Sequence, residues 1–135
     1  MDTTHNGSCL CGAVTFKVTG DFKKFFFCHC SRCQKTSGTA HCANLFAPNA
    51  SLEWLTGEDK ISFYNHPDTG FSRNFCSICS SIMPRSSEAN NVVMVPAGSL
   101  DTAVELSPQA HIFTDSKGNW DSILNDIHVF EEGPH

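Results

Sequence analysis

The chain is 135 residues long and carries nine Lys and Arg against fourteen Asp and Glu, a formal net charge of −5. That length suits a single domain over residues 1–135, since lone domains usually run to roughly 100–150 residues. The acidic excess argues against nucleic acid as a partner, which calls for a basic face. No apolar run approaches the roughly 20 residues that cross a bilayer, so no membrane span is expected. Met1-Asp2-Thr3-Thr4-His5-Asn6 shows neither the basic start nor the apolar stretch of a secretory signal. A soluble, cytoplasmic chain is therefore expected. Its eight cysteines then read as reduced thiols that bind metal or react, and not as a disulfide framework.

In chain order, the first clear element is Ala13 to Thr19, where Val14, Phe16 and Val18 alternate with polar residues as in a half-buried strand. Gly20-Asp21 signals a turn, and Lys23 to Phe27 reads as a second strand completing a hairpin. Ser31 to Thr36 allows one helical turn with Ser31 as its cap. Further strands are expected at Ala40 to Ala47, Leu52 to Leu55, Ile61 to Tyr64, Phe71 to Phe75, Ser81 to Pro84, Val92 to Val95, Ala110 to Phe113 and Ile127 to Phe130. Asp121 to Asn125 invites a short helix. Many short strands punctuated by Gly, Pro, Asn and Asp predict a mainly all-β domain of antiparallel sheets. Phe25 to Phe27, Trp54 and Trp120 read as core or sheet packing, and the tail from Glu131 to His135 as frayed.

Three cysteine groups carry the chemistry: Cys9-Leu10-Cys11, Cys28-His29-Cys30-Ser31-Arg32-Cys33 and Cys76-Ser77-Ile78-Cys79. In an extended C-x-C pair both sulfurs project from one face. A C-x-x-C turn is the usual zinc half-site, and tetrahedral zinc accepts two such pairs. Cys9, Cys11, Cys76 and Cys79 would make a closed Cys₄ zinc site, although Cys9 and Cys11 could instead share an ion with Cys28 and Cys30.

The middle group is odd in number. Cys28, Cys30 and Cys33 leave zinc one ligand short, the mark of a catalytic site. Alternatively His29, His41 or Cys42 closes the shell, or a reactive thiol sits there without metal. Three thiolates give the centre a net charge of −1, which weakens it as an acid for water and favours a sulfur donor instead. The expected visitor is a thiol. Cys42 itself reads as a buried strand residue, and period two turns His29 to the face opposite Cys28 and Cys30.

Gly7-Ser8-Cys9-Leu10-Cys11-Gly12-Ala13-Val14, Cys28 to Cys33 and Arg73-Asn74-Phe75-Cys76-Ser77-Ile78-Cys79 together resemble the family of glutathione-dependent formaldehyde-activating enzymes, relatives of centromere protein V. Gly98-Ser99-Leu100-Asp101 and His111-Ile112-Phe113 are weaker echoes, and the resemblance spans about residues 7–130. It implies a zinc-bearing β-tent of antiparallel sheets. It assigns Cys9, Cys11, Cys76 and Cys79 to a structural zinc, and Cys28, Cys30 and Cys33 to a second, catalytic zinc. The implied activity is that of a carbon–sulfur lyase, joining or cleaving glutathione and a small aldehyde such as formaldehyde. A non-catalytic zinc module that binds a protein partner is the alternative. Arg32 and Arg73 are the candidates to hold glutathione's carboxylates, with Lys35 nearby. One departure from the pattern is Ser80, which stands where glycine is expected after the second C-x-x-C; a backbone with positive φ would be strained there.

Overall fold

The computed structural model describes residues 3–121 and 127–134. Among them run eleven strands: β1 (Thr4–Ser8), β2 (Thr15–Thr19), β3 (Lys24–Cys28), β4 (Cys42–Pro48), β5 (Ser51–Thr56), β6 (Ile61–Asn65), β7 (Ser72–Cys76), β8 (Ile82–Met83), β9 (Arg85–Ser87), β10 (Val92–Pro96) and β11 (Ala110–Ile112). One helix, α1 (Ser31–Ser37), follows β3. The strands form three sheets, ordered β1-β2-β5, β11-β3-β4-β10-β9 and β6-β7-β8. Every pairing is antiparallel except that of β11, which lies parallel to β3. The architecture is the expected mainly antiparallel β one. No described helix is long and apolar enough to cross a membrane.

Alternation explains where the core sits. Val14, Phe16 and Val18 are fully buried and meet Phe25, Leu45, Ala47, Val93 and Val95 of the second sheet in one apolar cluster. Each such side chain contributes on the order of 1.5–3 kcal/mol by leaving water. Cys9 and Cys76 belong to this cluster too, so the thiols are built into the core. Phe25 packs edge-on against Phe27, and Trp54 edge-on against Phe16. Trp120, in contrast, is half exposed and rests against Gly118.

Several expectations change in the structure. β2 and β3 do not form a hairpin: β2 pairs with β1 and β5, whereas β3 pairs with β4 and β11. The reason lies in the connection, where Gly20 adopts φ 140° and Phe22 is buried, carrying the chain from one sheet across the core to the next. The helix cap is Cys30, not Ser31. Cys30 keeps an extended backbone, and its sulfur takes the Cys33 N–H in the place where a hydroxyl normally serves. β1 and β9 carry no apolar alternation and were not expected from sequence. Ile127 to Phe130 forms no strand; Ile127 and Val129 stay exposed and His128 stacks on Phe130. The helix expected at Asp121 to Asn125 lies, beyond Asp121, outside the described residues.

Gly7 shows why the C-x-C segment is preceded by glycine. It pairs with Phe16 across the β1–β2 ladder and bridges to Leu100, and a β-carbon there would strike the Phe16 ring and the Ser99 carbonyl. Gly7→Ala is expected to destabilise the fold by about 1–3 kcal/mol, the usual cost of overpacking, measurable as a lower denaturant midpoint at unchanged slope.

Candidate metal centres

The first centre assembles at the end of β1 and the end of β7. Cys9 Sγ lies 3.6 Å from Cys11 Sγ, which lies 3.9 Å from Cys76 Sγ. The four sulfurs of Cys9, Cys11, Cys76 and Cys79 fall within 4.8 Å of one another. Zinc–sulfur bonds near 2.3 Å in a tetrahedron require sulfurs about 3.8 Å apart, so the four thiols fit that ion. All eight cysteines are free of disulfides. The chain prepares the sulfurs for a cation: Val14 N–H donates to Cys9 Sγ at 3.3 Å, and Cys79 Sγ pairs with the Ser81 hydroxyl at 3.2 Å. The Ser81 contact comes first among the causes that pull the Cys79 thiol down to about 5. The same hydroxyl accepts from Leu10 N–H at 3.0 Å, tying the two half-sites together.

The C-x-x-C turn closes with Ser80 N–H donating to the Cys76 carbonyl at 2.8 Å. That closure puts Ser80 at φ 68°, the left-handed region in which glycine is at ease and other residues are strained. The strain expected from the sequence is thus present in the turn.

The second centre lies at the end of β3 and the start of α1. Cys28, Cys30 and Cys33 bring three sulfurs within 4.8 Å of one another, and all three residues are only 4–8% exposed. As a donor set they fit a soft or borderline divalent ion with one ligand missing. Cys42, the cross-strand partner of Cys28, packs against them without joining the trio; its Sγ donates to the Cys33 carbonyl at 3.4 Å. Cys42 is a buried strand residue, as the sequence implied, and is held down at about 6, first by a hydrogen bond between its sulfur and the Cys33 thiol and then by Ser37 and Arg73.

The two candidate arginines part company. Arg73 is 6% exposed; its Nη2 donates to Cys33 Sγ at 3.5 Å and to Cys42 Sγ at 3.6 Å, and its guanidinium lies 4.5 Å from the centre of the Phe71 ring. Arg32 and Lys35 are exposed on α1, Arg32 with its guanidinium 5.8 Å from the same ring. Beside the cluster opens a cavity of about 220 Å³ lined by His41, Cys42, Asn44, Arg73, Ala97 and Gly98 among others.

His29 and His41 keep away from the sulfurs. His29 Nε2 is 2.8 Å from His111 Nδ1, its Nδ1 is 3.1 Å from Asp121 Oδ2, and the His41 ring is stacked on Phe27. This histidine–aspartate network, with His29 and Asp121 buried and His111 exposed, was missed in the sequence, because its members are separated by up to 92 residues along the chain. The one available signal was period two, which turns His29 off the cysteine face. The weaker motif echoes also find their use here. Ser8 Oγ donates to Asp101 at 2.7 Å, and the Ile112 carbonyl accepts from His29 N–H, so each echo fastens the backbone beside one cysteine group.

Fold and sites together define a mainly β protein with one four-thiol and one three-thiol cluster. The profile of the glutathione-dependent formaldehyde-activating enzyme family matches residues 4–116, and the chain belongs to that family. A protein of Halomonas elongata, provisionally named glutathione-dependent formaldehyde-activating enzyme, is 32% identical over 124 residues, covering 84% of this chain and 77% of that protein. A crystal structure of a Rhodobacter sphaeroides protein shares the fold with a TM-score of 0.58 at 18% identity, over 78% of this chain and 98% of the other.

Mutation separates the clusters. Cys76→Ala is expected to leave the chain largely unfolded, since structural zinc in small domains contributes on the order of 10 kcal/mol of folding free energy. Cys30→Ala is expected to remain soluble with native circular dichroism. In the same series Ser80→Gly should raise stability by about 1 kcal/mol, through relief of the strained turn, as read from thermal unfolding of the zinc-loaded protein.

Proposed function

We propose that the protein is a zinc-dependent, carbon–sulfur lyase-type enzyme that joins or cleaves a thiol, glutathione first of all, and a small aldehyde such as formaldehyde. One observation carries the reading: the two cysteine groups are unlike, four sulfurs in one and three in the other. Family membership supplies the substrate class. Cys9, Cys11, Cys76 and Cys79 would hold a structural zinc, and Cys28, Cys30 and Cys33 a second. When bound in the second cluster, zinc supplies a borderline-soft cation that favours a sulfur donor in its thiolate form.

The remaining work falls to the chain. Arg73 offsets negative charge where sulfurs gather, because its polar partners among the described residues are Cys33 and Cys42. Arg32, exposed on α1, is available to a tripeptide carboxylate in a way that the buried Arg73 is not. The 220 Å³ cavity beside Cys42 and Arg73 has room for a one-carbon aldehyde. In the joining direction the thiolate sulfur attacks the aldehyde carbon, the carbon–sulfur bond forms, and the carbonyl π pair moves to oxygen, which is protonated.

The depth of Cys28, Cys30 and Cys33 favours a second reading, a closed zinc module for a protein partner. Exchange spectroscopy on mixtures of glutathione and formaldehyde decides between them. The zinc-loaded protein is expected to accelerate formation and breakdown of the thiohemiacetal, and Cys30→Ala to abolish the acceleration. S-methylglutathione, which has no ionisable thiol, should not inhibit. Arg32→Glu should raise KM for glutathione several-fold with little change in kcat, as expected for a binding contact that does not change on the way to the transition state. No acceleration by protein with both sites loaded would leave the zinc module.

A further inference from the structure

Seven of the eight thiols fall into the two groups, and the eighth, Cys42, lies against the second of them. We infer that Cys42 is a fourth sulfur for that centre, an internal ligand that closes the shell until an outside thiol displaces it. The fourth-ligand role stands on the geometry and charge around Cys42; the displacement rests on the function proposed above.

Three observations converge. Cys42 is directly opposite Cys28 in the β3–β4 ladder, and residues so paired share a face of the sheet with β-carbons about 4.5–5.5 Å apart. Two sulfurs from such a pair can reach one ion. Secondly, the Cys42 thiol bonds to the carbonyl of Cys33, and a single nitrogen of Arg73 donates to the sulfurs of both residues. Cys42 is therefore at the same helix turn as the third ligand. Its sulfur is turned to that carbonyl, outside the trio, and rotation about χ1 is the freedom left to a cysteine on a fixed strand.

The third observation is electrostatic. Arg73 is almost wholly buried, its Nε has no partner, and no carboxylate pairs with it among the described residues. A buried cation needs countercharge. Four thiolates on a divalent ion carry a net charge of −2, three only −1, so a fourth sulfur here adds to the anionic charge facing the guanidinium. A cysteine serving only as a small hydrophobe would sit among aliphatic groups. Cys42 sits among thiols, a carbonyl and a guanidinium. An internal ligand also fits a centre whose cysteines are more than nine-tenths buried.

Cobalt(II) in place of zinc counts the sulfurs through its sulfur-to-metal absorption. The second centre is isolated as the difference between the native protein and Cys30→Ala. Cys42→Ser is expected to lose about a quarter of that difference, four thiolates becoming three, and glutathione is expected to restore it. An unchanged spectrum in Cys42→Ser would overturn the inference, and would leave the thiol-binding function standing if glutathione raised the native absorption. A loss that glutathione fails to restore would keep Cys42 as ligand and remove the thiol as substrate. Cadmium NMR of the unmutated protein needs no variant. Two resonances in the four-sulfur range support the fourth ligand, and one in the three-sulfur range refutes it.

Discussion

The convergence of four sulfurs between the end of β1 and the end of β7 is the constraint on which the rest of the molecule depends. Cys9 follows the first strand of one sheet and Cys76 closes the central strand of another, and both lie in the apolar core beside Val14 and Phe16. A cation held there ties two sheets through the same volume that the hydrophobic effect is emptying of water. Desolvation alone would push these thiols up and leave them neutral. The amide of Val14 and the hydroxyl of Ser81 work the other way, placing donors on sulfur. The core and the four-thiol site therefore share one volume: apolar walls exclude water, while hydrogen-bond donors favour the thiolate at Cys9 and Cys79.

The second cluster applies the same logic on the other side of a sheet. Residues of β3 alternate, so Phe25 and Phe27 pack with the core face while Cys28 turns away to meet Cys42. His29 returns to the first face, where His111 and Asp121 receive it. A strand of period two thus presents sulfur to one side and imidazole to the other within three residues. Arg73 arrives from the third sheet, so the guanidinium and the sulfurs it meets are brought to one place by different elements. The chain as a whole is acidic, yet the cation that matters most is buried.

Thr15–Thr19 was legible because burial on one face leaves a trace at every second residue, and Cys42–Pro48 because its run is largely apolar. Thr4–Ser8 left none: its sequence THNGS is polar, and its place is set by Gly7 against Phe16. Partners were harder to read than strands. Nothing local says that β2 joins β5, thirty-odd residues on, instead of the adjacent β3, because Phe22 looks like a turn residue until its burial is known. The cysteine groups were legible since ligand spacing is a local property. Arg73 was named as a candidate, but its burial against Cys33 and Cys42 was not legible, because a guanidinium in a strand reads as exposed until the sulfurs are placed around it.

The distance along the chain between the two halves of the first centre has a consequence for how the protein is made. Cys11 and Cys76 are 65 residues apart, and ribosomes deliver roughly 5–20 residues per second. For several seconds the early thiols are synthesised without the partners that would close around a metal. During that interval Cys9 and Cys11 are two ligands of a site that needs four, open to any soft metal or oxidant that meets the nascent chain. The four sulfurs can meet only once Cys79 has been made, with β8 to β11 still to follow, so any choice of metal by this centre waits for the second half-site.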